Sequence, residues 1–122
     1  MASLSPAAFF RTALFTAACL AEFAVSPVSS AAAADVPTFE MTLKDHVFTP
    51  SEIEVPANQR FQIKLTNEDA TPDEFDSHDL RVEKVVGGGQ TGIIRIQPLV
   101  PGRYMFMGEY HAATARGVVT AK

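Results

Sequence analysis

The chain has 122 residues, a formal net charge of −4 at pH 7 and a single cysteine, and 47% of its residues are hydrophobic. The mild acidity argues against nucleic-acid binding, because contact with phosphates requires a basic face. A chain of this length is sufficient for one small domain.

The first 34 residues have the layout of a secretory signal peptide. Arg11 precedes the apolar run TALFTAACLAEFAV, which leads into SSAAAA, and this order of basic, apolar and small residues is typical of such leaders. The run is too short to span a bilayer comfortably, which takes about 20 apolar residues. We predict a signal peptide over residues 1–34 and a periplasmic mature form over residues 35–122 that is soluble and does not span the membrane. A retained anchor helix is the alternative.

The only cysteine, Cys19, lies inside this apolar run. Cleavage after Ala34 therefore leaves a mature chain with no thiolate to bind a soft metal. A lipid anchor on Cys19 is disfavoured, because Thr16-Ala17-Ala18 lacks the leucine usual before a lipidated cysteine.

Alternation of apolar and polar residues predicts short β-strands throughout the mature chain. In FEMTL, Phe39, Met41 and Leu43 alternate with polar residues, and FQIKLTN repeats the pattern, as expected for half-buried strands. Further strands are predicted at EIEV, DLRVEKVV, IIRIQPL, RYMFM and GVVTA, with turns at VPANQ, GGGQTG and VPGRY. About seven short strands separated by Gly and Pro turns indicate an all-β sandwich or barrel.

The longest polar stretch, NEDATPDEFDSHD, is predicted to be an acid-rich loop from Asn67 to Asp79. Such loops are often simply solvated. This one draws interest because a second carboxylate and imidazole, Glu109 and His111, follow the strand RYMFM far along the chain.

The segment RYMFMGEYHAATARGVVTAK resembles the closing segment of the cupredoxins, which are small copper-binding β-sandwiches. Tyr104, Phe106, His111 and Gly117 match that family's pattern, and HVFTPSEIEVPANQRFQIKLTNED is similar to its upstream part. The resemblance covers nearly all of residues 38–122 and implies a Greek-key β-sandwich.

The resemblance departs from the family at the metal ligands. The cysteine position falls on Gly108, the axial methionine on Ala115, and the first histidine at or near Glu74. Of the four usual ligands only His111 remains. Because a blue-copper site requires two histidines and a cysteine thiolate, we exclude a blue-copper electron carrier.

A narrower group matches better. The pairing of EFDS (residues 74–77) with GEYH (residues 108–111) is similar to EfeO-type cupredoxin-like domains and to small periplasmic cupredoxins that accompany bacterial iron permeases. This resemblance implies a cysteine-free site for iron or copper, and an iron permease or other periplasmic iron-uptake component as partner.

In the sandwich, the loop after Asn67 and the loop after Phe106 are expected to meet at one end. Glu74, Glu109 and His111 could then bind one cation, with His78 as an additional ligand and Asp73 or Asp76 as substitutes for Glu74. Carboxylates and an imidazole suit Fe, Mn, Zn or Cu(II). On a regular strand Glu109 would face away from the core, so the hypothesis requires a bend at or just after Gly108. His46 is interpreted as a surface residue.

The leading functional hypothesis is a periplasmic protein of iron uptake that binds ferrous iron, with a role in its oxidation left open, and passes it to a membrane permease. The alternatives are a periplasmic copper carrier that uses the same residues and a metal-free β-sandwich interaction module. No convincing nucleophile with a base and an orienting group supports a hydrolase.

Overall fold

The computed structural model describes residues 35–122 and, before them, only Ser3. The predicted signal peptide therefore lies outside the described part of the chain. Nine strands and one 3-10 turn follow in this order: β1 Thr38–Lys44, β2 Val47–Thr49, β3 Glu52–Val55, β4 Phe61–Asn67, β5 Asp73–Ser77, β6 Val82–Val86, β7 Thr91–Ile96, β8 Gly102–Gly108, the turn η1 Glu109–His111, and β9 Arg116–Ala121.

The strands form two mixed sheets, which confirms the prediction of an all-β sandwich. One sheet has the order β2-β1-β4-β7 and the other has the order β3-β9-β8-β5-β6. Strand β1 runs parallel to β4, and β3 runs parallel to β9, while the other pairs are antiparallel.

Two strands were missing from the sequence prediction. Strand β2 has only three residues, too few for an alternation to be visible. Strand β5 lies inside the stretch predicted to be an acid-rich loop, and that interpretation was wrong. Asp73, Phe75 and Ser77 of β5 point inward and are buried, so the strand has ordinary alternation with a carboxylate and a hydroxyl at two of its inward positions.

The core fills the space between the sheets with inward-facing aliphatic and aromatic side chains. Phe48, Phe75 and Phe106 pack against one another, with ring centroids 4.9 to 6.0 Å apart. Aromatic pairs of this kind favour stacked and edge-to-face arrangements. The three rings come from β2, β5 and β8, the elements that also position the candidate site.

Three chain segments meet at one end of the sandwich, directly beyond these rings. They are the two-residue turn between β1 and β2, the start of β5 and the end of β8. Phe75 of β5 is opposite Gly108 of β8 in the sheet, so Asp73 lies beside the point where β8 ends. The predicted meeting of the Asn67–Asp79 segment with the segment after Phe106 is confirmed.

Candidate functional site

Asp73 is a buried carboxylate at the first position of β5, with only 2% of its surface exposed. Its Oδ1 accepts hydrogen bonds from the backbone N–H of Glu74 at 2.8 Å and of Tyr110 at 3.1 Å. A buried carboxylate is costly unless donors surround it. Here the backbone donors hold one oxygen and leave Oδ2 facing the loop that contains His111.

The chain bends directly after Gly108, as predicted, because β8 ends there and the 3-10 turn η1 begins at Glu109. The backbone freedom of glycine, which would make a bend at this position easy, is not what the bend uses. Gly108 has φ −88° and ψ 106°, an ordinary extended conformation that any residue adopts. Glycine is needed instead for close approach, since a Cβ there would lie 2.7 Å from Asp73 Oδ2 and 2.8 Å from the Cβ of Ala115.

His111 is the last residue of η1, and its ring points back toward β5. Its Nδ1 lies 2.9 Å from Asp73 Oδ2, and its side chain is 29% exposed. The backbone N–H groups of Thr114 and Ala115 both donate to the carbonyl of His111. These hydrogen bonds close the turn and hold the backbone from which the His111 side chain extends.

His46, which the sequence analysis assigned to the surface, lies against His111. The two rings are stacked, with centroids 3.6 Å apart and planes 10° from parallel. His46 is the second residue of the turn between β1 and β2, and 40% of its side chain is exposed. The sequence analysis predicted neither this turn nor the short strand after it, and no local pattern shows which segment the turn approaches.

Asp69 lies beside this turn as a second carboxylate. Its Oδ2 is 3.3 Å from Nδ1 of His46, yet the buried Nδ1 finds no hydrogen-bond partner within the described residues, so the two atoms lie close together without an aligned hydrogen bond. The backbone N–H of His46 keeps the pKa of Asp69 below its ordinary value, against the opposing effect of burial.

Among the described residues, His46, Asp73 and His111 form a group whose ligand atoms all lie within 4.8 Å of one another. Donors on neighbouring corners of a four- or six-coordinate ion, with bonds of about 2.0 to 2.2 Å, stand roughly 3 Å apart. The 2.9 Å between His111 Nδ1 and Asp73 Oδ2 agrees with that spacing. His46 adds a second imidazole, whose buried Nδ1 has no hydrogen-bond partner in the described residues, and a set of two imidazoles and one carboxylate suits a divalent transition metal.

Glu74 and Glu109, which were predicted to be ligands, lie outside this group. Glu74 follows Asp73 on β5 and faces the other side of the sheet, near Glu109. The negative charge of Glu74, followed by desolvation and the charge of Asp76, raises the pKa of Glu109 above its ordinary value. Desolvation and then the same Glu74 charge raise the pKa of Tyr110. A role for these carboxylates in metal binding stays a prediction.

His78 lies beyond the opposite end of β5, in the turn that leads to β6. Five residues of strand, at roughly 3.3 Å each, separate it from Asp73 by about 16 Å. The exposed His78 lines an open polar groove with Asp76, Asp79 and Arg81. The structure therefore does not bring His78 to His111.

Small residues occupy the two positions at which the cupredoxin pattern has sulfur ligands. The N–H of Gly108 donates to the carbonyl of Ala115 at 2.9 Å, and Ala115 is fully buried. Residues 35–122 contain no cysteine. The donors grouped at this end of the domain are imidazole nitrogen and carboxylate oxygen, and no thiolate is present in residues 35–122.

Comparisons with known proteins agree with this architecture. Residues 12–121 match the model of the cupredoxin-like domain family. A protein of Rickettsia prowazekii (strain Madrid E), named as uncharacterized, is 40% identical over 80 residues, which are 66% of this chain and 64% of that protein. The match thus spans less than two thirds of that relative's length.

No helix among the described residues is long and apolar enough to cross a membrane.

Solved structures with the same fold include copper proteins. The metal-binding domain of the Cu(I)-exporting P-type ATPase CopA of Streptococcus pneumoniae is 14% identical, with a TM-score of 0.62 over 75% of this chain and 90% of that one. Auracyanin A, a blue copper protein of Chloroflexus aurantiacus, is 15% identical, with a TM-score of 0.62 over 72% of this chain and 100% of that one.

A purple cupredoxin of Nitrosopumilus maritimus is 16% identical, with a TM-score of 0.53 over 69% of this chain and 99% of that one. At such identities these likenesses establish the fold alone. The family match extends over nearly the whole chain, and the two sheets have the corresponding arrangement. The chain therefore belongs to the cupredoxin-like domain family.

Proposed function

We propose that this domain binds a divalent transition metal through His46, Asp73 and His111 and serves in periplasmic iron uptake. The observation that carries the proposal is the convergence of two imidazoles and one buried carboxylate, with ligand atoms within 4.8 Å of one another. His111 occupies a ligand position of the cupredoxin pattern, and Asp73 is beside the position assigned to the first histidine.

The donor types support iron as the cargo. Two histidines and one carboxylate with open positions are typical of non-haem Fe(II) sites, whereas thiolate and thioether donors favour Cu(I). The usual thiolate and axial thioether are both missing, because Gly108 and Ala115 stand at the cysteine and methionine positions of the cupredoxin pattern. The similarity of EFDS and GEYH to iron-permease-associated cupredoxins is consistent with the same cargo.

The proposed role is that of a carrier. His46 and His111 are each partly exposed, at 40% and 29% of the side chain, so an ion held between them could leave toward a permease. Oxidation of ferrous iron would transfer one electron to an acceptor. A copper ion or a partner protein would have to be that acceptor. Metal binding is the core of the proposal, and oxidation is an addition to it.

Copper is the second candidate cargo. Divalent copper binds nitrogen and oxygen donors more tightly than the other first-row divalent ions, and imidazoles suit it. The fold is also that of proteins whose names state copper binding. The same residues would bind copper, so affinity alone does not decide between the two metals.

Titration of the metal-free protein with Fe(II) under anaerobic conditions, and with Cu(II) and Zn(II), tests the proposal. We expect one equivalent to bind and His111→Ala to weaken binding by at least tenfold. His78→Ala is the matched control, because His78 is an exposed histidine far from the site, and it should bind like the wild type. Equal affinity in the wild type and His111→Ala would overturn the proposed site.

A second set of variants separates this site from the carboxylate site predicted from the sequence. If His46, Asp73 and His111 hold the metal, Glu109→Ala should retain the affinity of the wild type. A loss in Glu109→Ala equal to that in His111→Ala would favour the predicted set instead. The metal content of the protein isolated from iron-limited and copper-supplemented cells would then identify the cargo.

A further inference from the structure

The turn that carries His46 has a left-handed backbone conformation at both of its residues, and its second position is one where glycine is usual. Asp45 and His46 have φ values of 50° and 58°, and Lys44 and Val47 on either side are paired in the hairpin. Two-residue hairpins with positive φ at both central residues usually contain Asn-Gly or Asp-Gly. A histidine in such a turn is strained, and strain of this kind persists only where the surroundings hold it.

The carboxylate of Asp69 holds this turn from outside. Its Oδ1 accepts from the N–H of Asp45 at 2.7 Å, and its Oδ2 accepts from the N–H of His46 at 3.0 Å. These two N–H groups point the same way because both residues are left-handed. One carboxylate therefore fixes both strained residues at once.

Asp69 is in turn fixed by the interior of the domain. Its N–H donates to Oδ1 of Asn67 at 3.0 Å, and Asn67 is fully buried. The side-chain amide of Asn67 donates to the carbonyls of Thr71 and Val86. The position of His46 is thus tied to a rigid, buried amide on β4 rather than to the hairpin alone.

A second anchor links the two histidine turns directly. Oγ1 of Thr114 donates to the carbonyl of His46 at 2.7 Å, and the N–H of the same threonine donates to the carbonyl of His111 at 3.1 Å. Asp69 and Thr114 therefore hold the His46 turn from two sides while its ring lies 3.6 Å from that of His111.

We propose that Asp69 is a positioning residue that holds the strained Asp45-His46 turn so that the His46 ring lies against His111 as a metal ligand. Asp69 itself lies outside the group of ligand atoms. Residues outside the ligand set that orient a metal-binding histidine commonly contribute 10- to 100-fold to metal affinity. The inference rests on the proposed function as far as affinity is concerned, and the position of the ring is tested separately in the metal-free protein.

The experiment compares Asp69→Ala and Asp69→Asn with the control Asp79→Asn. Asp79 is a suitable match, because its Oδ2 also accepts from a backbone N–H, that of Met105 at 2.9 Å, and it lies beside His78 at the opposite end of β5 from His46 and His111. Zn(II) affinity, the unfolding midpoint and the ring-proton NMR shifts of His46 and His111 are measured for each variant.

We expect Asp69→Ala to bind Zn(II) about 10- to 100-fold more weakly and to change the ring shifts of both histidines without metal. Asp69→Asn retains one acceptor oxygen and should have an intermediate loss, which keeps the test informative if the alanine variant fails to fold. Asp79→Asn should lower the unfolding midpoint without changing affinity or ring shifts.

The outcomes distinguish the two proposals. If the wild type binds no metal, the proposed function fails, and the ring shifts of metal-free Asp69→Asn still decide whether Asp69 positions His46. If the wild type binds metal and both Asp69 variants bind equally well with unchanged ring shifts, the positioning role is wrong while the metal site stands. An equal loss of affinity in Asp79→Asn and Asp69→Asn would also overturn the positioning role of Asp69, because the loss would then reflect lower general stability.

Discussion

The two faces of β5 place neighbouring carboxylates in opposite environments. Asp73 is buried and faces two backbone N–H donors and the imidazole of His111. Glu74, one residue later, faces outward beside Glu109, whose pKa its charge raises. The inner carboxylate is surrounded by donors, and the outer ones repel each other. The number of acids in a segment therefore says less about a metal site than the face on which each acid lies.

The largest expected difference between the faces is between Asp73→Ala and Glu74→Ala. Removal of Asp73 leaves the N–H of Tyr110 without its carboxylate partner and removes a proposed ligand, so we expect a loss of about 1–3 kcal/mol of stability together with the loss of metal binding. Glu74→Ala should change neither by a comparable amount. Denaturant unfolding and metal titration of the two variants measure this, and equal effects would remove the distinction between the faces.

Metal binding to the inner face should also stabilise the fold. A ligand that binds only the folded state at 100 times its Kd contributes about 2.7 kcal/mol. The melting temperature should therefore rise with added Zn(II) and fall again with a chelator. His111→Ala should show a smaller rise at the same Zn(II) concentration, because its affinity is weaker, while His78→Ala should show the full rise. If added Zn(II) leaves the melting temperature of the wild type unchanged, the hypothesis of a metal-free interaction module is favoured.

The packing around Asp73 predicts a cost for any side chain at position 108. Gly108→Ala places a methyl group 2.7 Å from Asp73 Oδ2 and 2.8 Å from the Cβ of Ala115, and overpacking of this kind costs about 1–3 kcal/mol. Gly102→Ala on the same strand is the control, because the nearest atom would be 3.7 Å from its Cβ. Equal melting temperatures for Gly108→Ala and Gly102→Ala would contradict the explanation that Gly108 is needed for close approach.

The smallest expected effect is on the outer face. A carboxyl whose pKa is raised in the folded state binds its proton more tightly when folded, so Glu109 contributes stability as pH falls through its folded pKa and opposes folding at neutral pH. Glu109→Gln should therefore raise the unfolding midpoint slightly at pH 7, and the gain should disappear in mild acid. Glu52→Gln serves as the exposed control, and a gain for Glu109→Gln that persists in acid would exclude charge repulsion as its cause.

Much of the fold was predictable from alternation alone. The strands that contain Phe39, Met41 and Leu43 or Phe61, Ile63 and Leu65 follow the two-residue period, because one of their faces is apolar throughout. Strand β5 was missed because two of its inward positions are Asp73 and Ser77, which read as polar loop residues. Its alternation becomes visible only once the hydrogen-bond partners of those side chains are known.

The candidate site was predictable in part. His111 and the bend after Gly108 follow from the resemblance and from strand geometry, and Asp73 was named as a substitute for Glu74. His46 could not be found in the same way. The short strand β2 after it was missed, and its contact with His111 joins positions 65 residues apart in the sequence.

The sequence by itself determined an all-β domain and the absence of cysteine from residues 35–122, because these depend on residue types and local periods, and its resemblance to the cupredoxins made His111 a candidate ligand. Only the tertiary structure decided which acid faces His111 and which histidine stacks on it. Those pairings depend on how two sheets pack and on a strained turn held by Asp69, and no local pattern encodes a contact between distant segments.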